Sequence, residues 1–190
     1  VGRMKEGQDA LYYLVGEDRA VLENSPHLEI FRQKGYEVLL LDDAVDSVWV
    51  EQVESFQDRP FRSAARGEVD LGTEEEKKQA ETRLEERRKD LATLLAWLST
   101  RLAEDVKQVR LSSRLTTSAA CLVSDSEDPS PSLEKLMKAM GQELPPVKRI
   151  LELNPDHPVV GRLHDLYAER GDDGFLGQAA EMLYAQALVA

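Results

Sequence analysis

Cysteine and long apolar runs are scarce in this 190-residue sequence. Its one cysteine, Cys121, cannot form a disulfide within the chain, which favours a reducing compartment, and we expect the cytoplasm. No apolar run approaches the roughly 20 residues that a membrane-spanning helix needs. The charged segment followed by an apolar one that marks a signal peptide is missing as well. The sequence therefore predicts no membrane partner.

Basic residues are outnumbered by acidic ones. The sequence has 24 Lys and Arg against 36 Asp and Glu, which gives a net charge of −12. Domains that bind nucleic acids usually present a basic face to the phosphates, so this balance argues against a nucleic-acid partner. Hydrophobic residues make up 42% of the sequence, which is typical of a folded globular protein.

Motifs for catalysis and cofactor binding are also missing. There is no glycine-rich phosphate loop, no G-x-S-x-G segment and no C-x-x-C pair. The histidines, His27, His157 and His164, do not have the spacing of metal ligands. Cys121 lies in a predicted strand with no histidine near it in sequence, and we interpret it as a buried structural thiol. We predict no catalytic residue, no metal site, no cofactor and no enzyme activity within this sequence.

Three aspartates allow an alternative to that view. Asp42, Asp43 and Asp46 follow a predicted parallel strand, at the edge where α/β proteins place their ligands. Carboxylates at such an edge can hold Mg²⁺. Capping of the next helix explains the same residues more simply, and we favour it.

The stretch Asn154-Pro155-Asp156-His157-Pro158 also allows two interpretations. His157 can act as a base or a metal ligand, with Asp156 orienting it. Alternatively, Asn154 caps a helix whose first position is Pro155, and Asp156 lies at the positive end of the helix dipole. The second interpretation needs only local effects, and we favour it.

The first seventy residues predict a small α/β unit. Residues 10–16 and 36–43 have the apolar, branched and aromatic composition of strands. A helix over 25–35 lies between them, with a serine cap and a proline at its start and a glycine at its end. A short helix is predicted over 44–53 and a further strand over 59–66. Strand and helix alternate, which is typical of α/β folds.

A long charged helix is predicted from about residue 74 to 104. Thr73 and Glu76 form a capping box at its start. Its second half carries an apolar stripe of five leucines: Leu84, Leu91, Leu95, Leu98 and Leu102. Because the composition changes just before this helix, we predict two domains, 1–71 and 72–190.

The second domain is predicted to contain a three-stranded sheet. Strands over 106–112 and 119–124 are expected to form a hairpin, and the third strand covers 147–154. Helices are predicted over 132–141, 155–168 and 175–190. The expected fold class is α+β or α/β, with a small α/β/α subdomain joined by a long helix to a domain with a three-stranded sheet and helices.

Two of these helices carry a pronounced apolar surface. In the helix over 132–141, apolar side chains recur at i, i+3, i+4 and i+7: Leu133, Leu136, Met137 and Met140. This face can belong to the core, but its methionines also suit adaptable contact with a partner. The helix over 175–190 is apolar on nearly every side, so we expect it to pack against a further segment, another subunit or both.

Four stretches resemble the bacterial heat-shock protein 90 chaperones of the HtpG type. They are "MKEGQDALYYLVGE", "ENSPHLEIFRQKGYEVLLLDD", "RLTTSAACLVS" and "ILELNPDHPVVGRL". The similarity runs in order along almost the whole chain. It implies that residues 1 to about 70 end the middle domain and that the rest forms the C-terminal dimerisation domain. The sequence, which begins on valine, is then expected to be a piece of a longer chaperone.

The resemblance implies a homodimeric, ATP-driven chaperone that remodels partly folded client proteins. In this family ATP and Mg²⁺ bind in an earlier domain, so neither is expected here. The last two helices of each subunit pair with those of the other subunit. This sequence matches the first of the two and lacks the second. The implied interface residues are Phe175, Leu176, Ala179, Met182, Leu183, Gln186 and Ala187.

The resemblance also implies client-binding residues. The short amphipathic helix contacts clients in the family, and Leu133, Leu136, Met137 and Met140 match it. A middle-domain tryptophan, usually preceded by an Asp-Glu pair, is linked to clients too. Trp49 lies one position later than that pattern, which on a helix turns its side chain by about 100°. Two other functions stay open: a passive dimerisation scaffold without client binding, and a metal-dependent enzyme domain built on Asp42, Asp43 and Asp46.

Overall fold

The structure is a computed structural model that describes residues 1–126, 128, 134, 137, 138, 140, 141 and 147–189. The strands are β1 (Leu11–Val15), β2 (Val38–Leu41), β3 (Ser55–Phe56), β4 (Arg59–Ser63), β5 (Val106–Leu111), β6 (Ala120–Val123) and β7 (Arg149–Leu153). The α-helices are α1 (Arg19–Glu23), α2 (Glu29–Lys34), α3 (Asp46–Trp49), α4 (Glu74–Asp90), α5 (Ala92–Arg101), α6 (Pro158–Arg170) and α7 (Gly174–Val189). A 3-10 turn, Pro26–Leu28, precedes α2. None of these described helices has the length and apolarity to cross a membrane.

The strands form two separate mixed sheets, which agrees with the predicted α+β class. One has the order β2-β1-β4-β3 and the other the order β5-β7-β6. We call β1–β4 with α1–α3 the first lobe, and α4–α7 with β5–β7 the second lobe. Each lobe has its own large cluster of buried apolar residues. The assignment of the lobes to domains 1–71 and 72–190 stays a prediction.

The first lobe contains the predicted strands and two elements that the sequence did not indicate. β1 pairs in parallel with both β2 and β4, and α2 ends at Gly35, whose φ of 66° suits a residue without a side chain. The helix α1 was not predicted, although Asp18 caps it by accepting from two backbone N–H groups. β3 was also missed, because a strand of two residues has no periodic pattern.

The long helix predicted over 74–104 is wrong as a single element. It is divided at Leu91, whose φ of −94° and ψ of 8° depart from helical values, and it ends at Arg101. The capping box is confirmed, since Thr73 and Glu76 exchange hydrogen bonds of 2.9 and 3.4 Å. None of the residues of α4 is buried, whereas Leu91 and Leu94 of the next segment are in the core. The division at Leu91 therefore allows the apolar second half of the predicted helix, α5, to pack into the core of the second lobe, while α4 stays on the surface.

The hairpin predicted between β5 and β6 is also wrong. β7 lies between them, parallel to β5 and antiparallel to β6. Because β7 is central, its neighbours cover both of its edges. It is the most completely buried of the three strands, with Ile150, Leu151 and Leu153 at most 2% exposed. The segment between β5 and β6 crosses the end of β7, where Ser112 N–H donates to Leu153 O at 2.8 Å.

Candidate partner-binding surfaces and the joint between the lobes

The helix α7 has one buried side and one exposed side. The buried side packs against β6, α5 and α6 and consists of Leu176, Gly177, Ala180, Leu183 and Ala187. On the exposed side, four large apolar side chains meet solvent: Phe175 (58% exposed), Met182 (73%), Leu188 (57%) and Val189 (85%). Exposed apolar groups of this size do not stabilise the single chain, and clusters of them are typical of contact surfaces.

The predicted interface residues are divided between these two sides. Phe175, Met182 and Gln186 are exposed, and Ala179 is half-buried. Leu176, Leu183 and Ala187 lie in the core cluster of the chain itself. The expectation that this helix packs against a further segment, another subunit or both stays a prediction, and the side that carries Phe175 and Met182 is uncovered in the single chain. Pairing through that side stays a prediction.

Contacts with α5 hold α7 in this orientation. Arg101, at the end of α5, forms an ion pair with Glu181. Its guanidinium lies over Gly177, where a Cβ atom would be only 3.2 Å from Arg101 Nη2. At the start of α7, Asp173 Oδ1 accepts from Leu176 N–H at 2.8 Å. Gly177 thus allows the close approach that keeps the apolar core side inward and Met182 outward.

The predicted client-binding helix is described only in part. Leu133 and Leu136 lie outside the described residues. Met137 has a helical backbone and is half-buried, whereas Met140 follows in a turn and is 69% exposed. The segment is linked to β7 by an ion pair between Glu134 and Arg149. Client binding by these methionines stays a prediction.

Trp49 is half-buried on α3. Its indole Nε1 donates to Asp46 Oδ1 at 2.7 Å, and its ring meets Phe61 edge-on with centroids 5.5 Å apart. Asp46 therefore orients the tryptophan. The client role of Trp49 stays a prediction.

The aspartates near Trp49 do not perform the predicted capping. Asp42 and Asp43 are exposed, and α3 begins without a hydrogen bond from a capping side chain. Asp46 Oδ2 instead accepts from the Asp43 N–H at 3.1 Å. In the described part of the chain, no three His, Cys, Asp or Glu side chains lie close enough together to hold a metal ion.

Asp156 and His157 have structural roles, as we favoured, but not the predicted ones. The cap of α6 is His157, whose Nδ1 accepts from the Val159 N–H at 3.2 Å, and the helix begins at Pro158. Asn154, the predicted cap, instead closes the turn before the helix by accepting from Asp156 N–H at 3.1 Å. The start of α6 is set by Pro158, because a proline fits the first helical position without losing a hydrogen bond.

Asp156 connects this turn to α4. Its carboxylate accepts from Arg83 Nη2 at 2.8 Å and lies 3.7 Å from Arg87 Nε. Arg87 also donates to the carbonyl of Pro155. At the other end of α4, Lys34 of the first lobe lies 3.4 Å from Glu76. The charged helix α4 is thus attached to the first lobe near its start and to the turn before α6 in its second half.

A buried ion pair joins the two lobes. Arg114 is 0% exposed and Glu152 is 2% exposed, and Arg114 Nε donates to Glu152 Oε2 at 2.8 Å. The remaining guanidinium nitrogens donate to the carbonyl oxygens of Ala64 and Gly67 in the first lobe. Burial alone would raise the pKa of the Glu152 carboxyl, but the charge of Arg114 and the hydrogen bonds outweigh it, so the pKa is lowered.

Glu29 forms a second connection between the lobes. Its carboxylate accepts from the backbone N–H groups of Thr116, Thr117 and Ser118 at 2.6, 2.8 and 3.0 Å. Burial would raise the pKa of Glu29, but these hydrogen bonds lower it below the ordinary value. In addition, Ile30 N–H donates to Arg114 O at 3.1 Å. The start of α2 is thereby fixed to the loop between β5 and β6.

Sequence reasoning did not find this joint. The one available signal was Glu152, an acid inside the apolar strand "RILEL", since a buried charge requires a partner. Arg114 lies in a polar loop and has no comparable signal. His27 also borders the joint. Its Nδ1 is buried and has no hydrogen-bond partner within the described structure, and burial together with the charge of Arg114 lowers its pKa to about 4.

Cys121 is 1% exposed. Burial raises the pKa of its thiol to about 12, so the thiol stays protonated at neutral pH and is a poor nucleophile. The prediction of a buried structural cysteine is confirmed.

The whole chain, residues 1–190, matches the family model described as Hsp90 protein. The chain belongs to this family, and the resemblance seen in its motifs is confirmed. It is similar over its full length to the chaperone protein HtpG of Frankia casuarinae (55% identity), of Rhodococcus jostii (54%) and of Streptomyces coelicolor (53%). The chain spans 29%, 30% and 30% of the length of these relatives.

Proposed function

We propose that this chain carries the subunit-pairing and client-contact surfaces of a homodimeric, ATP-driven chaperone. ATP and Mg²⁺ would act in another part of the full protein. The observation that carries the proposal is the exposed apolar side of α7. The membership of the chain in the Hsp90 family also supports the proposal.

The spacing of the exposed residues supports pairing through α7. Phe175, Met182 and Val189 recur at intervals of seven residues and are 58%, 73% and 85% exposed. A seven-residue repeat drifts by only about 20° per heptad on a straight helix, so these side chains form one stripe. In a two-fold symmetric dimer the same stripe of both subunits would meet. Burying each large side chain would contribute roughly 1.5–3 kcal/mol.

Sedimentation equilibrium tests the pairing role. We expect Met182→Glu to weaken self-association at least tenfold, because it places a carboxylate in the centre of the stripe. Val21→Glu is the matched control, since Val21 is 59% exposed on α1 and the change in charge is the same. Equal self-association of the two variants would exclude α7 as the pairing surface.

Client contact is the second part of the proposal. Met140 is exposed and Met137 partly so, and a flexible thioether side chain adapts to unrelated apolar partners. Two subunits would present two such surfaces to one client, so that weak contacts add through effective concentration. A passive scaffold would instead show no client affinity.

The client role is tested with Met137→Ser combined with Met140→Ser. We expect weaker binding of a permanently unfolded protein, and a melting temperature that stays within a few degrees because neither side chain is fully buried. Client affinity equal to that of the parent chain would favour the scaffold alternative.

A further inference from the structure

The sulfur atoms of this chain belong either to a protected thiol or to accessible thioethers. The sequence has one cysteine and four methionines. Cys121 is 1% exposed, and burial raises the pKa of its thiol to about 12, so it offers no thiolate to an oxidant. Met4 and Met137 are half-buried, whereas Met140 is 69% exposed and Met182 is 73% exposed. The sulfur that an oxidant reaches most easily is therefore that of the two exposed methionines.

Met182 is uncovered because its neighbours on α7 are small or lie in solvent themselves. On a helix, the side chains three and four positions away are the ones that can cover a residue. Three positions away are Ala179 and Ala185, whose methyl groups are too short to reach over a thioether. Four positions away are Gln178 and Gln186, and both are exposed. The sulfur of Met182 is therefore open to solvent in the single chain.

Met182 is also the central member of the stripe that we propose for pairing. Phe175 and Val189 are the outer members, 58% and 85% exposed. Because alanines and glutamines surround Met182 on the helix, most of the apolar area at the centre of the stripe is its own. Oxidation of a methionine gives a polar sulfoxide, which resists transfer out of water. In a two-fold symmetric dimer, one oxidised residue per chain places two sulfoxides in the same interface.

We propose that Met182 is an oxidation site that regulates pairing: hydrogen peroxide oxidises it in the unpaired chain, and the oxidised chain pairs more weakly. This inference rests on the proposed pairing role of α7 and adds its regulation. The sulfur lone pair attacks one peroxide oxygen, an S–O bond forms as the O–O bond breaks, and the other oxygen leaves as water with both protons. Sulfur loses two electrons, which the peroxide gains. A methionine sulfoxide reductase reverses the change by oxidising two thiols to a disulfide and releasing the sulfoxide oxygen as water.

Pairing should in turn protect the sulfur, since the stripe of the second subunit covers it. The chain is treated with dilute hydrogen peroxide at concentrations below and above its dissociation constant for self-association. Mass spectrometry then follows sulfoxide formation at Met182 and Met140 separately. We expect Met182 to be oxidised more slowly in proportion to the paired fraction of the chain. Met140, which lies outside the stripe, is the internal reference and should be oxidised at the same rate at both concentrations.

Matched variants assign the effect of peroxide to one residue. Sedimentation equilibrium of the parent chain should show about tenfold weaker self-association after peroxide treatment, because the centre of the stripe becomes polar. Met182→Leu keeps an apolar side chain that peroxide does not oxidise, so it should pair like the untreated parent before and after treatment. Met140→Leu removes the other exposed thioether and should stay as sensitive as the parent. Treatment of the oxidised parent chain with methionine sulfoxide reductases and a thiol reductant should restore pairing.

Three results would overturn the proposal. They are equal self-association of the untreated and the oxidised parent chain, peroxide sensitivity that survives in Met182→Leu, and peroxide sensitivity that is lost in Met140→Leu. A chain that does not self-associate even before treatment would refute the pairing role of α7, and this inference with it. Circular dichroism melting before and after treatment checks that the fold is kept, as expected for changes at an exposed side chain.

Discussion

Acidification from pH 7.5 to 5.5 is expected to destabilise the folded chain through His27. Burial and the nearby charge of Arg114 lower the pKa of His27 from 6.5 to about 4, so its imidazole stays neutral in the folded state over this range. In the unfolded chain the same group has a pKa near 6.5 and takes up a proton below that value. The unfolded state then binds more protons, and the free energy of unfolding falls with decreasing pH.

The magnitude follows from the position of pH 5.5 between the two pKa values. One pKa unit corresponds to about 1.4 kcal/mol, and pH 5.5 lies one unit below the unfolded-state value and above the folded-state value. Because His27 keeps some solvent exposure, we expect a loss of about 1 kcal/mol. Glu29 and Glu152 have lowered pKa values. Their stabilising effect is present above the ordinary carboxyl pKa and is lost only below it, outside this window.

Urea denaturation at the two pH values measures the effect. The comparison is made with His27→Phe, which replaces the imidazole by a ring that cannot be protonated. The difference in unfolding free energy between pH 7.5 and 5.5 should be smaller in the variant by about 1 kcal/mol. An equal pH dependence in the parent chain and the variant would refute the assignment of this proton uptake to His27.

Two further predictions concern the joint between the lobes. Arg114→Met should lower the free energy of unfolding by about 3 kcal/mol, the lower end of the range for breaking a buried ion pair, because Glu152 loses its fully buried partner but keeps Arg110 at 2.7 Å; a loss below about 1 kcal/mol in urea denaturation would contradict this. Glu29→Gln should cost about 1 kcal/mol, since a neutral amide accepts the three backbone hydrogen bonds less strongly. Glu37→Gln, at an exposed ion pair, is its control and should be nearly neutral.

Local signals predicted the elements whose cause is local. Gly35 ends α2 because the left-handed backbone there favours a residue without a side chain, and the box of Thr73 and Glu76 starts α4 through hydrogen bonds three residues apart. The start of α6 was placed three residues too early, because Asn154 and His157 both offer a capping acceptor in front of a proline. Which one caps depends on the turn that Asn154 forms with Asp156.

The sequence by itself determined the family, the excess of negative charge, the apolar character of α7 and most of the strands. The tertiary structure alone decided which strand is central, where the long helix divides and which side of α7 stays exposed. It also brought Arg114 and Glu152 together from 38 positions apart. Capping and periodicity act between neighbours and are visible in order along the chain. Strand order and ion-pair burial depend on which surfaces exclude water together, and that is settled only when distant segments pack.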